Sequence, residues 1–284
     1  MTVDAPALES SQAPLAGMGR KFAPHRVRAV VLQHLLNVWH SPIRLIELFY
    51  WPIIQLVLWG FITSYLLSSA VDLPGGVLAL LGAVMLWDHT FRMQNELNLV
   101  SMFDMWDRNQ VNLRASPLTQ VEYLCAALIL ALARSFSGSV VLVVLARWWF
   151  DYDLFTIGAT LLPALIVLTL FATALGFFIG GFITRFGSNA QILAWSLAAL
   201  LQPFAAVFYP VSALPGWLQV VARALPVSHV FEALRAVVAE TPAPAAGLGI
   251  ALAEAIILLA LAFAFNLWAY RRVRELGLLS SPGY

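Results

Sequence analysis

Six long apolar stretches dominate the chain, at about 45–69, 76–93, 121–147, 156–184, 189–209 and 247–270. A helix needs about 20 mostly apolar residues to cross the roughly 30 Å hydrocarbon layer of a bilayer. Inside that layer every backbone N–H and C=O must find its partner within the protein, so a chain of this kind is expected to fold as a bundle of transmembrane helices. Composition agrees: 61% of residues are hydrophobic and only 11% charged, against about 25% charged in a soluble domain. There is too little polar side chain to cover a globule in water. The second stretch is the shortest, and Asp88, His89 and Arg92 crowd its end.

Lys and Arg are retained on the cytoplasmic flanks of membrane proteins, so their distribution sets the expected orientation. With the N-terminus inside, Arg20, Lys21, Arg26, Arg28, Arg44, Arg92, Arg108, Arg114, Arg185, Arg271, Arg272 and Arg274 fall on or near the cytoplasmic side. Arg147, Arg223 and Arg235 fall outside, and Arg134 falls within the third span. This twelve-to-three split implies that both termini are cytoplasmic, with residues 1–24 a disordered tail and 271–284 a second tail. The N-terminal residues lack the apolar core beside a basic start that marks a signal peptide. Trp148, Trp149, Tyr152, Tyr209, Trp217, Trp268 and Tyr270 lie near predicted span ends, where aromatic rings settle at the headgroup level. The single cysteine, Cys125, excludes an intrachain disulfide framework and reads as apolar filler. A net charge of +1 without a basic, aromatic stripe gives no reason to expect a nucleic-acid partner.

Residues 25–44 precede the first span. At about 100° per residue, Arg26, Gln33, Asn37 and His40 share one face, and Val27, Val31, Leu35 and Val38 share another, with Trp39 beside them. The pattern predicts an amphipathic helix on the cytoplasmic surface, serving either as an anchor or as a docking face. Ser41-Pro42 then signals a new helix. The loop at 94–120 mixes Leu97, Met102, Phe103, Met105 and Trp106 with Glu96, Asp104, Asp107, Arg108 and Arg114. Large apolar residues in a connecting loop want burial, which predicts a partner-facing helix, and Ser116-Pro117 predicts the start of the next span. Residues 211–240 hold Pro215 and Pro226, which leave room for helices of about 10 and about 13 residues, or roughly 15 and 19 Å. Neither crosses the membrane, yet the segment is too apolar for open water. A proline-broken pair that dips in from outside and returns is expected, with Arg223, His229, Glu232 and Arg235 facing protein or a wet cavity. Spacings of three allow His229 to pair with Glu232 and Glu232 with Arg235.

This last segment, "YPVSALPGWLQVVARALPVSHVFEALRAV", resembles the membrane subunit of ABC exporters of the type-2 permease family. The pattern Pro-(small)-x-Leu-Pro-x-Trp-Leu, then Leu-Pro-x-Ser-His, then Glu-Ala-Leu-Arg carries the resemblance. "NLRASPLTQVEYL" extends it to the 94–120 loop. The resemblance implies an all-α membrane protein with six transmembrane helices. It adds an N-terminal amphipathic interface helix, a cytoplasmic coupling helix between spans two and three, and a re-entrant helical hairpin before the last span. It also implies a bacterial-type inner membrane and a dimer with a second copy or a close paralogue. Two separate P-loop ATPase subunits, with ATP and Mg, would drive outward movement of glycan, lipid-linked, lipid or drug-like cargo. By position, the ATPase-coupling residues would be Arg26, Asn37, His40, Asp104, Trp106, Asp107 and Arg108. A substrate path between protomers would include Tyr50, Trp51, Gln55 and Trp59 on span one, with Trp195, Gln202, Phe204 and Phe208 on span five. Pro215, Trp217, Arg223, Pro226, His229, Glu232 and Arg235 would form the hairpin.

A phosphate-cradling loop reads G-x-x-x-x-G-K-[ST]. The only lysine, Lys21, sits in "GMGRKFAP" without that spacing, so ATP hydrolysis by that route, and with it any nucleotide cofactor, is expected on another chain. Asp88, His89 and Glu96 are conceivable metal ligands, although such residues more often cap a span at the headgroup layer. Within the membrane, Glu47, Arg134 and Glu254 must face the bundle interior or water, because a charge there is costly. Arg134 is expected to pair with Glu254 or Glu47. An alternative reading is a secondary transporter coupled to an ion gradient through Arg134 and Glu254, but no inverted repeat is visible. An intramembrane enzyme would need a convergent His/Asp/Ser set, which is also not visible. Gly176, Gly180 and Gly181 are spaced for close helix packing.

Overall fold

The computed structural model describes residues 21–69, 77–107, 109, 113, 116–239, 241 and 245–276, and the regular structure among them is helical. The helices are α1 (Pro24–Trp39), α2 (Pro42–Ser68), α3 (Val77–Trp106), α4 (Gln120–Phe150), α5 (Leu161–Phe186), α6 (Ile192–Leu201), α7 (Gly216–Arg223), α8 (Pro226–Val238) and α9 (Ala245–Glu275). Short 3-10 segments at Leu154–Thr160, Gly187–Gln191 and Val211–Ala213 join some of them. The predicted tail up to residue 20, the end of the second tail beyond residue 276, and Arg108 and Arg114 lie outside the described residues.

Four segments are long and apolar enough to cross a membrane: Pro42–Ser68, Gln120–Phe150, Leu154–Phe186 and Gly247–Glu275. They make this an integral membrane protein. The other two predicted spans take different forms. The second does not stop at residue 93: α3 runs on to Trp106, so most of the apolar half of the predicted 94–120 loop is helix. Asp88, His89, Arg92, Gln94, Glu96 and Asn98 lower its apolarity, and the fold answers by burying it. Leu81, Leu86, His89, Met93, Gln94 and Asn98 are each at most 1% exposed, with α3 packed against both α4 and α5. The fifth stretch, predicted over 189–209, yields only the ten residues of α6. Pro203 ends it, because proline has no N–H to continue the ladder and its ring crowds the preceding turn. The chain then turns through Ala206, buried at φ 51.

Element ends differ from the sequence pattern for local reasons. The interface segment, bounded at residue 44 in the expected division, ends as a helix at Trp39, while α2 starts at Pro42, where Ser41-Pro42 signals it. Ser41 stands at the N-cap of α2 without a side-chain cap hydrogen bond. Helix α4 starts not at Ser116-Pro117 but three residues later, on a reciprocal capping box: Thr119 Oγ1 accepts from the Glu122 N–H at 3.2 Å, and Glu122 accepts from the Thr119 N–H at 2.8 Å. Two orphan donors of the first turn are thereby satisfied. Helix α9 continues through Glu275, five residues into the predicted second tail.

Helices α5 and α9 pack along their length. A Cβ at Gly181 would lie 2.7 Å from the Phe265 ring, and one at Gly176 would lie 2.6 Å from Leu97 of α3. The absent side chains therefore let three helices approach closely, as the glycine spacing predicted. Asn266 locks the same contact by donating to the Phe177 carbonyl at 2.9 Å. The bundle has two ends. At one, α1 and the start of α4 meet the end of α3. At the other, α7 and α8 pack near the start of α9, the start of α3 and the 152–157 turn.

Candidate functional site

The α1 end is built around two buried carboxylates. Glu122 lies in the first turn of α4 with its side chain fully buried. Besides closing the capping box it accepts from the Ala23 N–H at 2.7 Å and from Arg26 at 3.3 Å. Arg26 also donates to the Pro117 carbonyl at 3.1 Å. Asp104, 3% exposed, lies near the end of α3. It accepts from the Tyr123 hydroxyl at 2.7 Å and from Asn109 at 3.2 Å, and His34 of α1 stands 3.4 Å away. A buried carboxylate is costly unless several donors meet it, so each of these groups needs its helix neighbours in place. The result is a corner in which α1, the end of α3 and the start of α4 are tied together.

The face of α1 that enters this corner is Val27, Val30 and His34. Of the Val27, Val31, Leu35, Val38 stripe that the pattern suggested, Val27 and Val31 pack inward and Leu35 is exposed. A second apolar face, with Leu32, Leu35, Leu36 and Trp39, remains exposed. The helix is thus apolar on two sides, which a search for one hydrophobic stripe does not resolve. Asn37 and His40 are exposed, and the His40 ring meets the Leu36 carbonyl at 2.7 Å. Trp106 is 52% exposed. Asp107 pairs with Arg44 at 3.1 Å, and the Arg44 guanidinium lies over the Phe103 ring at 4.2 Å. Asp104 departs from its expected place on a docking face, since it is an internal strut. Arg108 lies outside the described residues.

Deeper in the bundle, Arg134 pairs with Glu96 of α3 at 3.0 Å. This corrects the expected pairing with Glu254 or Glu47. Glu47 is exposed, and Glu254 faces His229 at 3.8 Å. Arg134 and Glu254 therefore form no shared ion site. Asp88 pairs with Arg92 one turn away. His89 meets Ser139 of α4 and Thr169 of α5, both at 3.0 Å. Asp88, His89 and Glu96 thus each face a different partner and do not converge as a ligand set would.

At the opposite end, Pro215 and Pro226 bound two short helices of 8 and 13 residues, with Pro226 in the first turn of α8. Glu232 accepts from the Val211 N–H at 2.7 Å and pairs with Arg235 at 3.1 Å. His229 turns away from Glu232, toward the Arg223 carbonyl at 2.9 Å and Glu254. Arg223 itself is exposed and reaches Gln219, contrary to the expected inward orientation, and Trp217 is exposed. Of the aromatic path residues, Trp59 and Phe208 come together as a stack at 4.8 Å. Tyr50, Trp51, Gln55 and Trp195 are exposed, while Gln202 and Phe204 are half-buried.

Sequence reasoning missed Glu122 and His34, and it missed Glu96 as the partner of Arg134. The signal for Glu122 was the Thr119-x-x-Glu122 spacing of a capping box. His34 interrupts an apolar arc of α1, and Glu96 recurs at four-residue spacing after Asp88 and Arg92, which places all three on one face of α3.

Residues 25–239 match the family model of the ABC-2 type transporter. Among curated proteins none matches the chain. The match takes in α1, the α1–α3–α4 corner and the α7–α8 pair together, and it covers most of the chain. The chain belongs to the ABC-2 type transporter family and is the membrane permease part of such a transporter.

Proposed function

We propose that this permease is the membrane subunit of an ABC exporter, moving an amphiphilic, lipid-linked, glycan or drug-like substrate outward. The ATP and Mg act on separate P-loop ATPase subunits, and this chain performs no hydrolysis. Two copies, or one copy and a close paralogue, assemble in a bacterial-type inner membrane with both termini cytoplasmic. Six crossings fit this arrangement, with α3 and the α6–Phe208 segment supplying the two that are not apolar enough by themselves. The α7–α8 pair, too short to cross, is a re-entrant hairpin on the outer side.

The observation that carries this reading is the corner held by Asp104 and Glu122. A permease driven by another protein's ATP needs a surface that takes up a push and passes it to several spans. Here α1 is joined to the start of α4, and the end of α3 to the same helix, through hydrogen bonds to the buried carboxylates of Glu122 and Asp104, which are stronger than neutral ones, and His34 of α1 stands beside Asp104. Trp106, Asn37 and His40 stand exposed beside that corner and form the docking face. Pressure there would move α3 and α4 as one body and shift the exposed α2 against a second protomer.

The test is transport in proteoliposomes holding this chain with its P-loop ATPase. Substrate movement is expected only with hydrolysable ATP on the ATPase side, and to be abolished when the ATPase P-loop lysine is replaced. Transport that runs on a proton gradient without nucleotide would overturn the proposal.

A further inference from the structure

Five aromatic rings form one continuous strip along the seam between α5 and α9. Phe178, Phe182 and Phe186 recur every four residues on α5, and Phe265 and Trp268 lie three apart on α9. These spacings put each set on one face of its helix. The Phe265 ring seats over Gly181, where a Cβ would lie 2.7 Å from it. It thereby reaches Phe178 at 5.2 Å and Phe182 at 5.3 Å between ring centres. Phe186 and Trp268 continue the strip at 5.7 and 5.8 Å, toward the end of the bundle that holds α1. Gln120, at the start of α4, fixes that direction by bonding Asn266 at 3.0 Å. Phe178, Phe186 and Trp268 are 39%, 54% and 55% exposed, so the strip is open to the outside of the bundle.

The strip ends in positive charge. Arg185 follows Phe182 by three residues and Arg272 follows Trp268 by four, so both stand on the aromatic faces, about one turn or 5 Å further along. The Arg185 guanidinium lies 5.7 Å from the Phe186 ring. Arg272 pairs with Glu275 at 3.1 Å, and both side chains are more than half exposed. Arg271 is exposed beside them. Glu275 is the one acidic residue in 178–187 and 265–276, against Arg185, Arg271, Arg272 and Arg274. Because α9 continues as helix through Glu275, these cations are held at a fixed height over the strip. A soluble anion would use the arginines and leave the rings idle. A neutral lipid would use the rings and leave the surplus charge unanswered. We propose that the α5–α9 seam binds an anionic diacyl phospholipid from the leaflet on the α1 side. One acyl chain lies along the rings, and the phosphate accepts from Arg185 and Arg272, with Arg271 adding attraction. The site needs a bilayer and no ATPase, so it stands or falls separately from the coupling mechanism.

The test uses the full chain in phosphatidylcholine nanodiscs with two photoactivatable probes, phosphatidylglycerol and phosphatidylcholine, each bearing a diazirine on the same acyl chain. Mass spectrometry reads the label on residues 178–186 and 265–272. Phosphatidylglycerol is expected to label them at least fivefold more than phosphatidylcholine, the effect of about one arginine on an anionic lipid. Arg185→Gln with Arg272→Gln is expected to remove that excess while leaving the phosphatidylcholine label unchanged, which also reports that the seam is intact. Arg185→Lys with Arg272→Lys should keep most of the excess, and Arg147→Gln, at an exposed arginine of the other end, should keep all of it. Label at Phe61, an exposed side chain of α2, should be the same for the two probes. Equal labelling of the seam by both probes would make it an ordinary lipid-facing surface, and no labelling by either would mean that another chain covers it. Either result, or an excess that survives Arg185→Gln with Arg272→Gln, overturns the proposal.

Discussion

Arg134 and Glu96 are only 8% and 7% exposed, and each is the other's main counter-charge at 3.0 Å. Removing one partner of such a pair leaves an uncompensated buried charge, which costs about 3–5 kcal/mol, whereas removing both can be close to neutral. Arg134→Gln is therefore expected to lower the unfolding midpoint in detergent sharply, and Arg134→Gln with Glu96→Gln to recover most of the loss. Glu254→Gln, at a longer and more exposed pair with His229, is expected to change it little. A double variant no better than Arg134→Gln alone would show that the pair is not what holds these residues. The need of Arg134 for a partner was legible in the sequence, because a charge inside a span demands one. Its identity was not. Ending the second span at residue 93 put Glu96 in a loop and out of reach, and only the continuation of α3 brings it back.

Elements were legible where a local rule decides them. Pro215 and Pro226 set the α7–α8 pair because each forces a break whatever surrounds it. The same rule applied to Pro203 would have ended the fifth span at Leu201, but the run of apolar residues on both sides concealed it. Helix α3 was hard to read for the opposite reason. Its polar residues look like a span ending, and only burial by α4 and α5 makes them the middle of a helix. Close packing makes a quantitative demand here. A Cβ at Gly176 would sit 2.6 Å from Leu97 Cδ1 and 2.9 Å from its Cβ, so neither rotation of Leu97 nor a small shift relieves it. Gly176→Val is expected to destabilise by about 1–3 kcal/mol through overpacking, read as a lower thermal midpoint. Leu97→Ala in the same chain should restore part of the loss, and no recovery would place the strain elsewhere.

At the scale of the molecule, two ends with different chemistry face away from each other. One is a polar corner braced by Asp104 and Glu122, and the other is an apolar cap of short helices. Composition made the membrane legible at once, and the 209–238 segment made the family legible. The corner was not legible, because His34, Asp104 and Glu122 lie on three helices and meet only in the folded chain. Between the ends, α2 presents Tyr50, Trp51, Phe61 and Tyr65 outward, an apolar surface open to lipid.

The most direct measurement of the coupling claim places a photo-crosslinking phenylalanine analogue at Trp106 or at Trp217, two exposed aromatic sites at the two ends. Each variant is expressed with the P-loop ATPase and irradiated in membranes. A covalent adduct with the ATPase is expected from position 106 and none from position 217. An adduct from position 217, or none from 106 while the complex remains intact, would contradict docking at the α1 corner.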